Sequence, residues 1–459
     1  MLFGQLRQEV ECEFYATIMT MVRVVVTGIG SVTPIGNSFL ESWKIAKSGI
    51  SGISQITRFD TSGIKWKVAG EIKGFDAEAY LTRKEINRLD PFVHYAVGAA
   101  IMAVEDAGLI KRSSVNIRQS LVKTDGKRLM TSERSDSSLL DSAGIIIGSS
   151  RGGITTIEKE LQKIYESRIT HHASYVSAYL MASTTISMAA SYVAQKLGIH
   201  GYCLGISNAC ASGTNAIGEA YRLIKSGYKG PVLCGGAEAP VCRICVEGYG
   251  ISGALSKVKD STASRPFDIT RDGFVLSEGA CILILENYET ALKRGARIYG
   301  EIIGYGNTTD AFHQTRPSPY GEAEAMRKAI EEAGLKPEDI DYINAHATST
   351  PLGDKTEIEA IKMVFGEKAK EIPISSVKSM TGHMLAASGA FEVAITLMSI
   401  KEGIIPPIIN LKETDPECDI DLVKKARKAK IDFAISNSFG FGGVNAVLVL
   451  KNHSLCSPP

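Results

Sequence analysis

The sequence is poor in proline, tryptophan and net charge. It holds 15 Pro and 2 Trp in 459 residues, and Pro falls below its usual share of about 5%. That scarcity stands beside 44 Gly, more than the roughly 7% usual for that residue. The combination excludes collagen-like sequence and a Pro-rich linker and points to an ordered fold with tight turns and close backbone approaches. Basic and acidic residues nearly cancel, 51 against 50, so no whole-chain field draws the protein to nucleic acid. A local basic patch for an acidic partner stays open. No apolar run approaches the roughly 18–20 residues of a membrane span; the longest, 143–148, is strand-sized. The nine Cys are odd in number and irregularly spaced, against a secreted disulfide framework. Cys242 and Cys245 form a lone C-x-x-C with no second pair to complete a zinc site; it reads as two small residues in a packed segment.

What is present is an alternation. β-branched runs at 23–27, 143–148, 232–235, 281–286, 340–344, 372–376, 433–436 and 446–450 are separated by helical patterns at 92–106, 214–225, 321–333 and 389–401. This is an α/β fold with a core large enough for the 44% hydrophobic content. The first run ends in what reads as a Gly turn at Gly28 and Gly30. Residues 1–21 carry Glu9, Glu11 and Glu13 around Arg7. They match neither a signal nor a transit peptide, and read as an extension to a cytoplasmic protein. Residues 113–141, rich in Ser, Lys, Arg and Asp, read as a polar surface insertion.

A weak repeat lies beneath the alternation. Ala211-Ser212-Gly213 opens a helix ending Ile224-Lys225-Ser226-Gly227, and 176 residues later Ala387-Ser388-Gly389 opens one ending Ile400-Lys401-Glu402-Gly403. Glu105-Asp106-Ala107-Gly108-Leu109 is echoed in the same order by Glu331-Glu332-Ala333-Gly334-Leu335. Two echoes in one order favour a duplicated α/β unit, against independent use of Gly after helices.

Chemistry-bearing residues sit at matching places in the two copies. Cys210 lies at the entry of the 214–225 helix, where unpaired N–H groups and the dipole favour a thiolate. His346 follows one strand and His383 another, both in Gly/Ser/Thr-rich loops where strands deliver reactive groups. A structural role is the commoner fate of any one such His or Cys, but the three together resemble a Cys/His/His set. Metal binding is disfavoured because the spacings are long and no carboxylate–His helix motif occurs. The 437–443 loop, Asn-Ser-Phe-Gly-Phe-Gly-Gly, can expose backbone N–H groups for an oxyanion. No phosphate-binding loop of the G-x-x-x-x-G-K-[ST] type is present.

Taken in order, these motifs resemble the β-ketoacyl-acyl-carrier-protein synthases, type II of fatty-acid synthesis. The similarity runs from Val22 to Lys451 outside the insertion. It includes Val24-Val25-Val26-Thr27-Gly28-Ile29-Gly30, Ser264-Arg265-Pro266-Phe267-Asp268, Arg271-Asp272-Gly273-Phe274-Val275, and the Cys, His-x-Thr-Ser-Thr-Pro and Lys-Ser-x-Thr-Gly-His loops. The resemblance implies a thiolase-like fold: two pseudo-symmetric halves, 22–290 and 291–452, in a five-layered αβαβα sandwich, usually homodimeric. It implies acyl transfer to Cys210 and malonyl decarboxylation. His346 and His383 would stabilise the enolate, and the N–H groups of Cys210 and Phe441 the oxyanion. No metal, ATP or redox cofactor is implied; 4'-phosphopantetheine arrives on the acyl carrier protein.

Further roles come from the same resemblance. Lys378 and Glu392 match a charged pair that orders the His loops, with Glu392 counted on the substrate side together with Phe439. Thr315, Thr348 and Thr350 match a pantetheine channel, Phe441 a gate at the nucleophile, and Arg83, Lys84 and Arg88 a carrier-docking surface. Arg151 stands where the family usually has an apolar residue beside the acyl pocket. Ala347 stands in a usual Gly position, and Leu385-Ala386-Ala387 departs similarly, as mild changes that tighten their loops. Arg151 and the insertion keep a specialised polyketide or lipid ketosynthase as the alternative. A non-catalytic chain-length-factor-like partner is disfavoured, because such subunits characteristically lack the nucleophile.

Overall fold

The computed structural model describes residues 22–110, 137–170 and 176–456. The 1–21 extension and most of the 113–141 insertion lie outside the described residues. The end of that insertion does not read as surface loop: Ser137–Asp141 is helical, and Leu140 is buried in a core cluster.

Ten strands form one continuous sheet. In chain order they are β1 (Val24–Val32), β2 (Gly144–Gly148), β3 (Cys203–Ile206), β4 (Val232–Glu238), β5 (Gly279–Asn287), β6 (Gly300–Thr309), β7 (Tyr342–Asn344), β8 (Ile374–Ser375), β9 (Phe433–Gly440) and β10 (Val444–Lys451). The spatial order is β8-β7-β9-β10-β6-β1-β5-β4-β2-β3. Read inward from each outer edge, the two halves are the same: two parallel pairings, then two antiparallel ones. Each half also places its first strand, β1 or β6, at the centre. The halves meet there through the pairing of Val24–Val26 with Ile302–Gly300. The duplication expected from the repeat is therefore present in the topology.

The layers follow from which faces are apolar. Cys281, Leu283 and Leu285 of β5 face a central core, while Ala280, Ile282 and Ile284 face an outer one. Ala446, Leu448 and Leu450 of β10 face the same central core, and Val447 and Val449 a third. Strands buried on both faces need helices on both sides. α1 (Pro91–Asp106) covers β1 and β5 outside the first half, and α3 (Pro319–Glu332) covers β6 and β10 outside the second. α2 (Ser212–Lys225) and α4 (Ala386–Glu402) fill the middle and touch strands of both halves. α4 is buried from Ala386 to Ile400.

Glycine sets how closely the layers approach. Gly28 and Gly30 are not in a turn, as their sequence context suggested, but inside β1. A Cβ on them would meet the carbonyl oxygens of Ala103 and Ala99 of α1 at 2.3 and 2.1 Å. Gly304 and Gly306 of β6 meet Ala329 and Ala325 of α3 in the same way, at 2.1 and 1.9 Å. At the centre, Gly213 of α2 lies against α4, where its Cβ would stand 2.1 Å from the Ala386 carbonyl oxygen. Gly389 of α4 lies against Thr214 Oγ1, also at 2.1 Å. The repeated Ala-Ser-Gly is thus the crossing point of the two middle helices.

Gly213→Ala would force that crossing apart. Overpacking of this kind costs about 1–3 kcal/mol, so the urea midpoint should fall with an unchanged slope. A midpoint equal to the parent protein's would contradict the crossing.

Candidate active site

The crossing brings one end of each middle helix to a common cavity of about 430 Å³. Cys210 comes from the first half, in the short 3₁₀ turn Ala209–Ala211 that leads into α2. Ser212 shapes that turn: its hydroxyl accepts the Asn208 N–H at 2.8 Å and donates to the Ala209 carbonyl at 2.7 Å. Ala209, the residue before Cys210, is held at φ 46°. Such a conformation costs a non-glycine residue about 1–3 kcal/mol. His346 and His383 come from the second half, after β7 and β8. Their rings stand edge to face with centroids 5.3 Å apart, and both line the cavity with Cys210.

Two buried carboxylates hold the His346 loop, and neither was singled out from sequence. Glu357, in the helix Pro351–Phe365, accepts the N–H groups of His346 at 2.8 Å and Ala347 at 2.7 Å, and the Asn437 side-chain amide at 3.0 Å. It therefore ties the His346 loop to the glycine-rich loop. Asp354 accepts from Ser349 N at 3.0 Å and Phe267 N at 2.9 Å, and burial raises its pKa to about 7. Ala347 and Ser349 both have positive φ, 21° and 75°, so these bonds hold a strained backbone. Leu385, at φ 47°, is strained next to α4. The Ala347 departure is thus more than loop tightening.

The motif around Phe274 braces the other loop. His383 N donates to the Val275 carbonyl at 2.8 Å and Ser277 N to the His383 carbonyl at 3.0 Å. The Phe274 ring meets His383 edge-on at 5.4 Å. His383 Nδ1 lies 3.2 Å from Ser388 Oγ, which accepts the Met384 N–H at 2.8 Å. His383 Nε2 and His346 Nδ1 are buried without hydrogen-bond partners.

Burial dominates the electrostatics. It pushes both imidazoles well below the usual His range, and the Lys378 ammonium adds to the effect, so both rings are neutral. It also pushes the Cys210 thiol up to about 11. Lys378, the Phe441 N–H bonded to the sulfur, and Arg151 pull the other way. The thiolate expected from the helix start is therefore corrected to a thiol: desolvation outweighs the local N–H groups and cations. A thiol facing a backbone N–H and two neutral imidazoles is suited to covalent attack with oxyanion stabilisation.

The other expected residues divide into two sets. Thr315, Thr348, Thr350, Phe439 and Phe441 line the cavity, with the Phe439 ring 5.9 Å from that of His346. Lys378 and Glu392 do not. They form an ion pair buried behind the wall, so Glu392, counted on the substrate side, has no surface in the cavity. Arg151 is also outside it. Its Nε donates to the Tyr249 hydroxyl at 2.8 Å, and Tyr249 is itself a cavity wall. Arg83 and Lys84 are exposed on the helix Arg83–Ile86, Arg83 being paired with Glu78. The Arg88 guanidinium lies over Tyr179, 4.2 Å from the ring centre.

A doubly repeated α/β sandwich with its cavity at the crossing of the middle helices is the thiolase-like fold. Comparison with known proteins narrows it. The N-terminal domain of β-ketoacyl synthases matches residues 21–291, and their C-terminal domain matches residues 299–412. A 3-oxoacyl-[acyl-carrier-protein] synthase 2 from Synechocystis is 43% identical over 436 residues, covering 94% of this chain and 98% of that protein. One from Staphylococcus aureus is 42% identical over 434 residues, with the same coverage. Among solved structures, the ishigamide ketosynthase/chain length factor has a TM-score of 0.83 at 34% identity, covering 94% of this chain and 99% of that one. A type II polyketide ketosynthase, bound to its acyl-carrier protein and the hexaketide, has a TM-score of 0.80 at 32% identity, with the same coverage. The chain belongs to the β-ketoacyl synthase family.

The buried neutral imidazoles make stability depend on pH. Below about pH 6.5 the unfolded chain binds protons at both rings and the folded chain does not. Stability should fall as pH drops through that value, by up to about 1.4 kcal/mol per pH unit for each ring. Urea midpoints from pH 7 to pH 5 measure this, and the His346→Asn/His383→Asn double variant should flatten the curve. An equally steep curve in that variant would contradict the assignment.

Proposed function

We propose that this chain is a 3-oxoacyl-[acyl-carrier-protein] synthase that lengthens acyl chains by two carbons in fatty acid synthesis. The observation that carries this reading is the meeting of Cys210 with His346 and His383 on one cavity, with the Phe441 N–H on the sulfur. Sequence identity of 42–43% to proteins named for that activity supports it.

In this reading Cys210 attacks the thioester of an acyl carrier protein and keeps the acyl group, releasing the pantetheine thiol. The thiol loses its proton as it attacks, helped by the Lys378 and Arg151 charges. The Cys210 and Phe441 N–H groups hold the oxyanion. A malonyl thioester then loses carbon dioxide, and its enolate oxygen receives hydrogen bonds from His346 and His383. Ser388 favours the needed tautomer of His383: a hydroxyl donating to Nδ1 leaves the ring proton on Nε2. Neutral rings suit this task, since they donate without giving up a proton. The carbanion attacks acyl-Cys210, giving a 3-oxoacyl product on the carrier and a free thiol. Decarboxylation drives the step, so the enzyme needs no cofactor of its own. Thr315, Thr348 and Thr350 line the approach for pantetheine, and Phe439 and Phe441 flank the reacting atoms. Lys378 with Glu392 acts from behind as a positioning pair.

The same proposal covers the assembly. The halves divide at 290/291, between β5 and β6, a reading supported by family matches over 21–291 and 299–412. β3 is an outer edge strand with Leu204, and Tyr202 just before it, exposed, a surface suited to a second copy in a homodimer. The protein works in the cytoplasm; among the described residues no helix is long and apolar enough to cross a membrane. Arg83, Lys84 and Arg88 form the docking face for the acidic carrier, a contact that salt should weaken.

A specialised ketosynthase of the same chemistry is the second reading, favoured by Arg151. Its cationic group, fixed on Tyr249 of the cavity wall, suits a short or polar primer. Purified protein, malonyl-carrier protein and acyl-carriers of about two to sixteen carbons test both readings. Cys210→Ala should abolish elongation, with a loss far beyond the ~10²–10³ of one oxyanion donor, and Cys210→Gln should keep malonyl decarboxylation alone. Elongation by Cys210→Ala would overturn the assignment. Arg151→Ile should extend use of long primers; an unchanged chain-length profile would remove the role given to Arg151.

A further inference from the structure

A pair of thiols lies one helix away from the cavity. Cys242 is the N-cap of the helix Arg243–Ile251, and Cys245 is in its first turn. Both are free and buried, and as the N-cap and the third residue of one helix their side chains lie side by side at its first turn. The contact draws Cys242 below the usual thiol range and pushes Cys245 above it, which leaves Cys242 the better attacking group. The pair is shallow: Arg243 and Ile244, between them in sequence, are exposed. Cys234 and Cys281 differ, being wholly buried on adjacent strands of the sheet.

The helix links this pair to the site. Three residues past Val246 it carries Tyr249, whose hydroxyl holds Arg151 and whose ring lies 5.4 Å from that of Phe274 and 6.3 Å from that of Phe441. All three aromatic residues line the cavity. The start of the helix is held by Glu158, whose carboxylate accepts the Arg243 and Ile244 N–H groups at 3.1 and 2.5 Å. A change in that first turn passes along two turns of helix to the Tyr249 wall.

We propose that Cys242 and Cys245 are a reversible redox site, oxidised by a low-molecular-weight disulfide to an intramolecular bridge that shifts Tyr249 and slows acylation of Cys210. Cys242 thiolate attacks one sulfur of the small disulfide and expels a thiolate. Cys245, losing its proton, then attacks the mixed disulfide and expels the second. Two protein thiols are oxidised and one disulfide is reduced to two thiols. Bridge formation stands on the placement of both cysteines in one helical turn; its effect on acylation rests on the condensing reading above.

The test has two readouts. Full-length Cys210→Ala protein, freed of the reactive thiol, is equilibrated with graded ratios of oxidised to reduced dithiothreitol, then alkylated and digested. The peptide containing both cysteines should lose two hydrogens and escape alkylation as the ratio rises. Alkylation of both thiols at every ratio, or a bridge to another cysteine, would overturn the site whatever the enzyme's activity. Acyl transfer to Cys210 is then followed in otherwise wild-type protein, before oxidation, after it, and after phosphine reduction. A displaced pocket wall should slow transfer about tenfold or more, reversibly, while Cys242→Ser/Cys245→Ser and the single Cys242→Ala protein show no such loss. Equal loss in those variants, or full-rate transfer by the bridged enzyme, would overturn the regulatory role.

Discussion

The structure depends on one close approach, the crossing of α2 and α4 at Gly213 and Gly389. A side chain at either position would meet atoms of the other helix about 2 Å away, so the two middle helices touch nearly backbone to backbone. Each helix begins at this crossing, and each begins next to a functional loop. Cys210 precedes α2, His383 precedes α4, and Ser438 of the glycine-rich strand bonds Thr214 across the junction at 2.7 Å. Duplication supplies the two helices. The missing side chains let them meet, and the meeting puts a thiol from one half beside two imidazoles from the other. The cavity is a property of the pair of halves rather than of either half.

Burial then sets the chemistry of the groups collected there. It keeps both imidazoles neutral and the Cys210 sulfur protonated at rest. Lys378 is the one cation felt by all three, and its own burial is tolerated because Glu392 neutralises it. Removing either partner of such a pair typically costs 3–5 kcal/mol, which makes it a fixed part of the fold. In the proposed reaction the arriving substrate excludes water and presents a carbonyl to the backbone donors.

Much of this was legible in sequence because the responsible residues are local. Alternating apolar runs marked eight of the ten strands. The two missed, β3 and β6, lack a clear apolar pattern. β6 carries Gly300, Gly304 and Gly306, and the latter two are needed for α3 to approach. The same geometry misled the reading of Gly28 and Gly30, because a glycine required by a neighbouring layer looks like one required by a turn. Within the site, the Cys/His/His set stood out through its loops. Glu357 and Asp354 did not, since a carboxylate in a helix gives no sign that it is buried under strained backbone. The protonation of Cys210 was misjudged for a related reason: helix position is visible in sequence and desolvation is not. Arg151 was placed beside the acyl pocket by resemblance, whereas its guanidinium turns to the Tyr249 hydroxyl, a partner 98 residues away.

The central claim is that one cavity, built from both halves, first stores an acyl group on Cys210 and then spends it on a carbanion made beside His346 and His383. The most direct measurement is rapid-mixing peptide mass analysis of the enzyme loaded from an acyl carrier protein and chased with malonyl-carrier protein. The account predicts an acyl adduct confined to the peptide bearing Cys210. It should persist without malonyl donor and vanish on the chase, as a 3-oxoacyl group two carbons longer appears on the carrier. An adduct on another residue, or one that the chase only hydrolyses to free acid, would contradict it.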